Sequence, residues 1–489
     1  MSDSAQLKIK TISAMKWSTL SEISARVITP IVFILMARLL TPADYGVTAS
    51  VMVILSFAQV FWDAGLGRAL IQRENNIEKA ANVVFWTNLG LAAVVYVALF
   101  LGAGLISRYL FKDPRIVTVI RVQGLIVLVN AFACVQTAHF QRNLDFKSLF
   151  WVRLITTGAP ALASLPLAAC GFGYWALVAG TLTGAIVQAI VLWRFSPWRP
   201  SFEYDREVAR EMVRFGMWVT VSGMLAWFYS WGDILLVGAY FDTRTLGLYR
   251  TGSTFVLTVF AMALGPIIPV VYAMLARMQG DLPRVRTTFL RVVRTIFLVA
   301  APLGAMLFIT RFAASYIIFG TKWSGVEVVI GWYALFTGLS WLVGSNNEVY
   351  RAVGLPAWET KSMLFGLATH IPVYFLTVNM GFGVFVKARF FLVFIGITWH
   401  LYLLSRILQI HARDVLFEVR HILIGFVVMI AVSLAITEWT SYSALTQGLI
   451  AAPVAALAYL VIAFTPKSAS FKEVSGVIKA LRSSRKRTA

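Results

Sequence analysis

ARLLTPADYGVTAS (residues 37–50) and AYFDTRTLGLYRTGS (residues 239–253) share one layout. Each begins at the end of an apolar run, crosses a short polar turn, and enters a second apolar run that carries Gly and Tyr near its start. Ala37 and Thr41 match Ala239 and Thr243 at an offset of 202, and Gly46 matches Gly247 at 201. The two copies stand six apolar runs apart and point the same way. That pattern predicts parallel repeats related by an axis along the membrane normal, with a binding site between them and transport by rocking one half against the other.

Around these turns the chain is strongly apolar. Of its 489 residues 59% are hydrophobic and 13% charged, about half the charged share of a soluble domain, and the mean hydropathy is +0.77. A soluble interior cannot hold that much apolar side chain, so the bilayer is the solvent for most of the molecule. About fourteen runs have the length of a membrane helix: 16–40, 45–70, 80–106, 117–138, 150–170, 174–195, 212–239, 246–276, 289–319, 325–352, 357–379, 383–409, 420–437 and 445–465. The expected organisation is an N-lobe over 1–195, a cytoplasmic linker over 196–211 (the polar stretch FSPWRPSFEYDREVAR spans 195–210), a C-lobe over 212–409, a last helix pair over 410–465, and a basic tail over 466–489.

The net charge is +21. In a soluble domain this would point to nucleic acid, but here the basic residues sit in short segments between apolar runs, so nucleic-acid binding is not expected. With a cytoplasmic N-terminus, most of the 43 Lys and Arg fall on the cytoplasmic side. Arg73, Lys79, Arg142, Lys147, Arg199, Arg206, Arg284, Arg286, Arg406 and Arg413 belong to that set. One miscounted helix would invert every later loop, so both termini are expected inside. The pattern Phe471, Val474, Ile478, Leu481 beside Lys472, Lys479 and Arg482 fits a tail lying on anionic membrane lipids, and fits a solvated basic tail equally well.

Ionisable groups at bilayer depth are costly and mark sites. Glu22 and Arg26, four residues apart, either neutralise each other or leave Arg26 facing a cavity, where its planar fork suits phosphate or carboxylate. Asp63, in WDAGLGRALIQR, pairs with Arg68 or with a cation. Asp233 follows Trp227, Phe228, Tyr229 and Trp231; aromatic faces of this kind line a glycan path or simply pack at an interface. Asn346, Asn347, Glu348 and Arg351 form the most polar intramembrane stretch, GSNNEVYRAVG. They line a water-filled cavity, with Glu348 titrating or holding a coupling ion, or Glu348 and Arg351 pair at i,i+3. Pro30, Pro160, Pro266, Pro269, Pro302 and Pro372 permit kinks.

Other chemistries lack their residues. There is no GxxxxGK[ST] and no HExxH, and five scattered histidines and two isolated cysteines, Cys134 and Cys170, make no metal or disulfide pattern. No cofactor is expected. A membrane glycosyltransferase or polymer ligase would need acidic groups and long loops on one face, and the outer loops are short.

ARLLTPADYGV followed by DAGLGRALIQR resembles the N-terminal signature of bacterial polysaccharide exporters. These are the Wzx-type flippases and teichuronic-acid exporters, in the superfamily that also holds MATE drug exporters and lipid II flippases. GDILLVGAYFDTRTLGLYRTGSTF is similar to the family's Asp-led seventh helix and its following turn, and YRAVGLP to its helix-ten exit. The resemblance covers the first twelve helices and loosens after about residue 410. It implies an all-α membrane fold with two six-helix lobes in a V around a central cavity, plus two C-terminal helices whose groove holds a prenyl tail. It implies export of undecaprenyl-diphosphate-linked oligosaccharide from the inner leaflet of the bacterial cytoplasmic membrane, coupled to a proton or sodium gradient, alongside polysaccharide polymerase and glycosyltransferases. Arg26 and Arg250, with Tyr249 beside it, stand where diphosphate or acidic sugars would bind. Asp63 and Asp233 occupy acidic motif positions, while Glu348 departs from the family pattern. A cation-coupled drug antiporter is the alternative within the superfamily, and a membrane glycosyltransferase the alternative outside it.

Overall fold

The structure, a computed structural model, describes residues 28–471 except 64, 74, 75, 143–145, 279, 280, 441, 466, 467, 469 and 470. Glu22, Arg26 and the amphipathic pattern beyond Phe471 lie outside the described residues. Everything described is helix and connecting turn, with no strand among the described residues.

The chain opens with α1 (Ile28–Leu39). Then follow α2 (Pro42–Asp63), α3 (Leu66–Gln72), α4 (Ile77–Ile106), α5 (Arg115–Gln123), α6 (Leu125–Arg142), α7 (Phe146–Ala169), α8 (Tyr174–Phe195), α9 (Arg206–Tyr240) and α10 (Thr243–Leu264). The remainder is α11 (Ile267–Ala276), α12 (Leu282–Ile309), α13 (Arg311–Ala314), α14 (Val326–Ser340), α15 (Asn346–Ala352), α16 (Ala357–Val378), α17 (Phe382–Ile407), α18 (Ala412–Trp439) and α19 (Ala444–Ala463). By internal contacts the chain groups into two compact units, Met1–Arg250 and Thr251–Ala489.

Helix lies over most of the described part of every apolar run. Among the described residues, eight helices are long and apolar enough to cross a membrane, with shorter apolar helices at Ile28–Leu39, Leu154–Ala169 and Val326–Ser340. Several of the runs are broken in the backbone. The second breaks at Gly65, whose φ is 66°. The eighth breaks at Gly265 and Pro266, where proline supplies no N–H to continue the helix. The tenth is interrupted over 341–345. Hydropathy sees one apolar segment where the backbone makes two helices.

Both repeat starts are capped by their own side chains. Thr41 and Asp44 form a reciprocal box around Pro42: Thr41 N–H donates to Asp44 Oδ2 at 2.9 Å, and Asp44 N–H to Thr41 Oγ1 at 3.3 Å. At the second start, Asp242 Oδ1 accepts from Thr245 N–H at 3.0 Å. A second repeated device is visible only in the backbone. SRYLF (Ser107–Phe111) and SYIIF (Ser315–Phe319) are both one-turn π-helices, followed by Lys112 at φ 54° and Gly320 at φ 88°. Ser107 and Ser315 are buried in each, as are Phe111 and Phe319.

Small residues bring helices together within each unit, as expected where lipid supplies no drive for helix association. In the first, a Cβ at Gly184 would meet Pro160 at 2.8 Å. In the second, Gly304 and Gly338 lie face to face across α12 and α14, and Tyr459 of α19 donates to the Leu298 carbonyl of α12 at 2.7 Å. The outward faces keep Val94, Leu101, Leu162 and Leu457 exposed, as lipid contact requires.

Candidate functional site

The polar groups of the first unit gather on α2, α9 and α10. α2 and α9 run antiparallel, and three contacts fix their register. Trp227 Nε1 donates to Ser56 Oγ at 2.8 Å. A Cβ at Gly223 would lie 3.1 Å from Val60, and one at Gly65 would lie 2.5 Å from Val219. This register sets Asp63 level with Thr220, thirteen residues from Asp233 and so roughly 20 Å from it along the helix axis. The two acids therefore do not share a site. The seam between them is aromatic: the Phe57 ring centroid lies 4.8 Å from Trp227 and 5.1 Å from Phe61.

Asp233 is 6% exposed and Tyr249 is fully buried. The Tyr249 hydroxyl donates to Asp233 Oδ2 at 2.6 Å, across the α9–α10 hairpin. Nearby, the Arg250 guanidinium stands 4.7 Å over the Trp231 ring, a cation–π contact. Four of the candidates, Trp231, Asp233, Tyr249 and Arg250, thus form one cluster holding an acid, a cation and two aromatic rings. Tyr229 sits on the same helix but is exposed. Trp227 is buried and Phe228 exposed, so the four aromatics of WFYSW do not share one face.

Asp63 ends α2, half-buried, beside the helix break. Past the break, a Cβ at Gly67 would lie 3.3 Å from the Cys134 sulfur, which accepts from Asn88 Nδ2 at 3.1 Å. Arg68 stands in the first turn of α3, and its side chain is outside the described set.

In the second unit the polar stretch begins with a helix break. Asn346 opens α15 fully buried, and among the described residues neither of its amide atoms meets a partner at hydrogen-bond geometry. Asn347 Oδ1 is likewise buried without a partner among the described residues. Glu348 lies 3.7 Å from Arg351, but Arg351 is held more tightly by Glu359 of α16, at 2.8 and 2.5 Å. That two-pronged contact clasps the turn through Gly354.

One cationic site escaped the sequence reading. Arg389 of α17 is half-buried, its guanidinium 4.7 Å from the Tyr333 ring and 5.0 Å from the Phe336 ring. Its Nη2 donates to the Tyr333 hydroxyl at 3.3 Å. The signal was present in FVKARFF, two cations in an apolar run, but its aromatic partners lie over 50 residues away. Among the described residues no three His, Cys, Asp or Glu converge as a metal set.

The profile of a family described as "Polysaccharide biosynthesis protein" matches residues 35–328, which is more than half of the chain and contains both repeat starts. The chain belongs to this family. Among curated relatives it is similar to the teichuronic acid biosynthesis protein TuaB of Bacillus subtilis (strain 168), 23% identical over 70% of this chain and 71% of that protein. It is similar to the succinoglycan biosynthesis transport protein ExoT of Rhizobium meliloti (strain 1021), 23% identical over 66% of this chain and 65% of that protein. The lipopolysaccharide biosynthesis protein WzxC of Escherichia coli (strain K12) is 25% identical, over 66% of each chain. The match thus spans about two thirds of these relatives. Among solved structures the fold is shared with lipid II flippase MurJ in an inward closed conformation, with TM-score 0.75 and 12% identity over 92% of this chain and 98% of that one. An inward-facing MATE multidrug transporter shares it with TM-score 0.60 and 14% identity, over 79% and 95%. This member of the polysaccharide biosynthesis family is therefore an all-helical, multi-pass membrane protein with the fold of the MATE-like superfamily.

Proposed function

We propose that the protein is a flippase that moves undecaprenyl-diphosphate-linked oligosaccharide across the bacterial cytoplasmic membrane for cell-surface polysaccharide synthesis. The observation that carries this reading is the family match over 35–328. It encloses the Trp231–Asp233–Tyr249–Arg250 cluster, and one relative in it is called a transport protein. The cluster suits the substrate: Arg250 offers a permanent cation to diphosphate or acidic sugar, and Trp231, only partly buried, offers a ring face. Arg26 is a second candidate for the diphosphate. The buried Asp233 carboxyl is the candidate for coupling to a proton or sodium gradient.

With both termini cytoplasmic, the substrate would be received from glycosyltransferases on the inner leaflet and handed to a polymerase outside. The test is a deletion strain in which the leaflet holding lipid-linked oligosaccharide is tracked. Cytoplasmic-face accumulation, relieved by wild type but not by Arg26→Ala or Arg250→Ala, is the expected result. Normal outward delivery of unpolymerised units would point to a polymerase or ligase instead. A drug antiporter shares the fold but predicts drug sensitivity of the deletion strain with normal glycan delivery.

A further inference from the structure

A groove of about 510 Å³ lies between α11 and α12, within the second unit. One wall is apolar, built from Val271, Met274 and Met278. The other is one face of α12, carrying Arg284, Thr288, Arg291 and Thr295 at i, i+4, i+7 and i+11, the spacing that puts side chains in a single row. Thr287 flanks the row. Among the described residues no acidic side chain lines the groove.

The four arginines in this part of α12 divide sharply. Arg286 donates to Gln409 and Arg294 to Glu418, so both are engaged by neighbouring elements. Arg284 and Arg291 instead face the groove, both exposed. They stand about 10 Å apart along the axis, with threonine hydroxyls between them. Two long guanidinium side chains at that spacing can close on two phosphates joined by a short polyol, each phosphate taking a fork of N–H donors. Deeper in, Ile267 and Ile296 continue the apolar wall, where acyl chains would lie.

We propose that this groove binds an anionic phospholipid with two headgroup phosphates, of the diphosphatidylglycerol type, from the inner leaflet. Three features carry it: a doubly cationic row, an apolar wall facing it, and a location at the turn that loop charge assigns to the cytoplasmic side. Basic pockets between membrane helices on that side take such headgroups. This inference does not depend on which substrate the protein moves.

The experiment is native mass spectrometry of the full-length protein in detergent, with diphosphatidylglycerol, phosphatidylglycerol or phosphatidylcholine added. Wild type should retain diphosphatidylglycerol at least about tenfold over phosphatidylcholine and several-fold over phosphatidylglycerol. Arg284→Gln with Arg291→Gln should lose that preference, and Arg286→Gln should keep it. Equal retention of all three lipids, or an unchanged double variant, would overturn the proposal. So would displacement by an equal amount of lipid-linked diphosphate, which would assign the groove to a transported lipid. If the double variant fails to fold, a photoactivatable diphosphatidylglycerol on wild type decides: crosslinks within 267–296 support the site, and their absence there removes it.

Discussion

Gly46 and Gly247 each lie against the carbonyl that begins the other's helix. A Cβ on Gly46 would fall 1.7 Å from the Thr243 carbonyl oxygen, and one on Gly247 would fall 1.8 Å from the Pro42 carbonyl oxygen. Gly46 follows Pro42 by four residues, as Gly247 follows Thr243. The contact is therefore reciprocal, as a local two-fold relation between two repeated helix starts requires. Both atoms in the way belong to backbone and cannot rotate aside.

Gly46→Ala and Gly247→Ala should each destabilise the protein, by about 1–3 kcal/mol or more, because the helices must separate to admit a methyl group. Thermal unfolding in detergent measures this. Ala at Gly90, where an added methyl group would have nothing within 4 Å, is the control and should be near neutral. Equal melting temperatures for all three variants would remove the crossing as a structural requirement.

How much of this was legible beforehand depends on what each feature rests on. The two turns were readable because TPADYG and DTRTLGLY advertise their caps and glycines locally. The separation of Asp63 from Asp233 was not readable, since it follows from the α2–α9 register set by Ser56 with Trp227 and by Gly65 with Val219. The π-turns at Ser107–Phe111 and Ser315–Phe319 escaped because hydropathy does not register a change in backbone hydrogen bonding, although both read S-x-x-x-F. Arg351 looked like a site residue within its own helix, and only the fold brings Glu359 to it.

Asp113 sits in the turn between two helices, where burial works against its charge. Hydrogen bonds from Arg115 and Thr243 outweigh that and hold its carboxyl below the usual carboxylate range. Arg115 reaches it at 2.7 Å and Thr243 at 2.8 Å. A depressed pKa stabilises the fold above the unfolded value, and this is lost as pH falls through the folded one. Asp113→Asn should therefore lower stability at neutral pH, and the gap to wild type should close as pH is taken below the ordinary carboxylate range. A gap independent of pH would mean that shape, not charge, holds this turn.

Arg294 and Glu418 join α12 to α18 as a largely buried ion pair. Removing one partner strands the other, so Arg294→Met alone should cost about 3 kcal/mol. Arg294→Met with Glu418→Leu should cost less than the single change, because two apolar groups need no solvation. Melting temperatures of the single and double variants give the comparison. A double variant worse than the single would show that the pair contributes net stability.

Tyr249→Phe removes the hydroxyl that Asp233 accepts from while leaving the ring in place. Loss of a hydrogen bond to a buried charged group costs about 1–3 kcal/mol. Asp233→Asn keeps an acceptor of the same shape but removes the charge. If Asp233 carries the coupling ion, Asp233→Asn should abolish gradient-driven flipping in vesicles, whereas Tyr249→Phe should slow it while preserving its dependence on the gradient. Similar losses from both, with the gradient dependence intact, would make the pair a structural tie between α9 and α10.

Arg250 is the sharpest test of the substrate path. Its guanidinium over Trp231 combines fixed charge with a ring face, and Lys in its place keeps the charge but loses the planar fork. In the leaflet assay Arg250→Ala should reduce outward delivery about tenfold or more, corresponding to about 1.4 kcal/mol of lost binding. Arg250→Lys should recover part of it, and Trp231→Leu should fall between. Because each variant also alters packing, the amount of folded protein in the membrane must be matched first. Full delivery by Arg250→Ala at matched levels would move the anionic site away from this cluster, and Arg389, with its own aromatic partners in the second unit, would be the next cation to change.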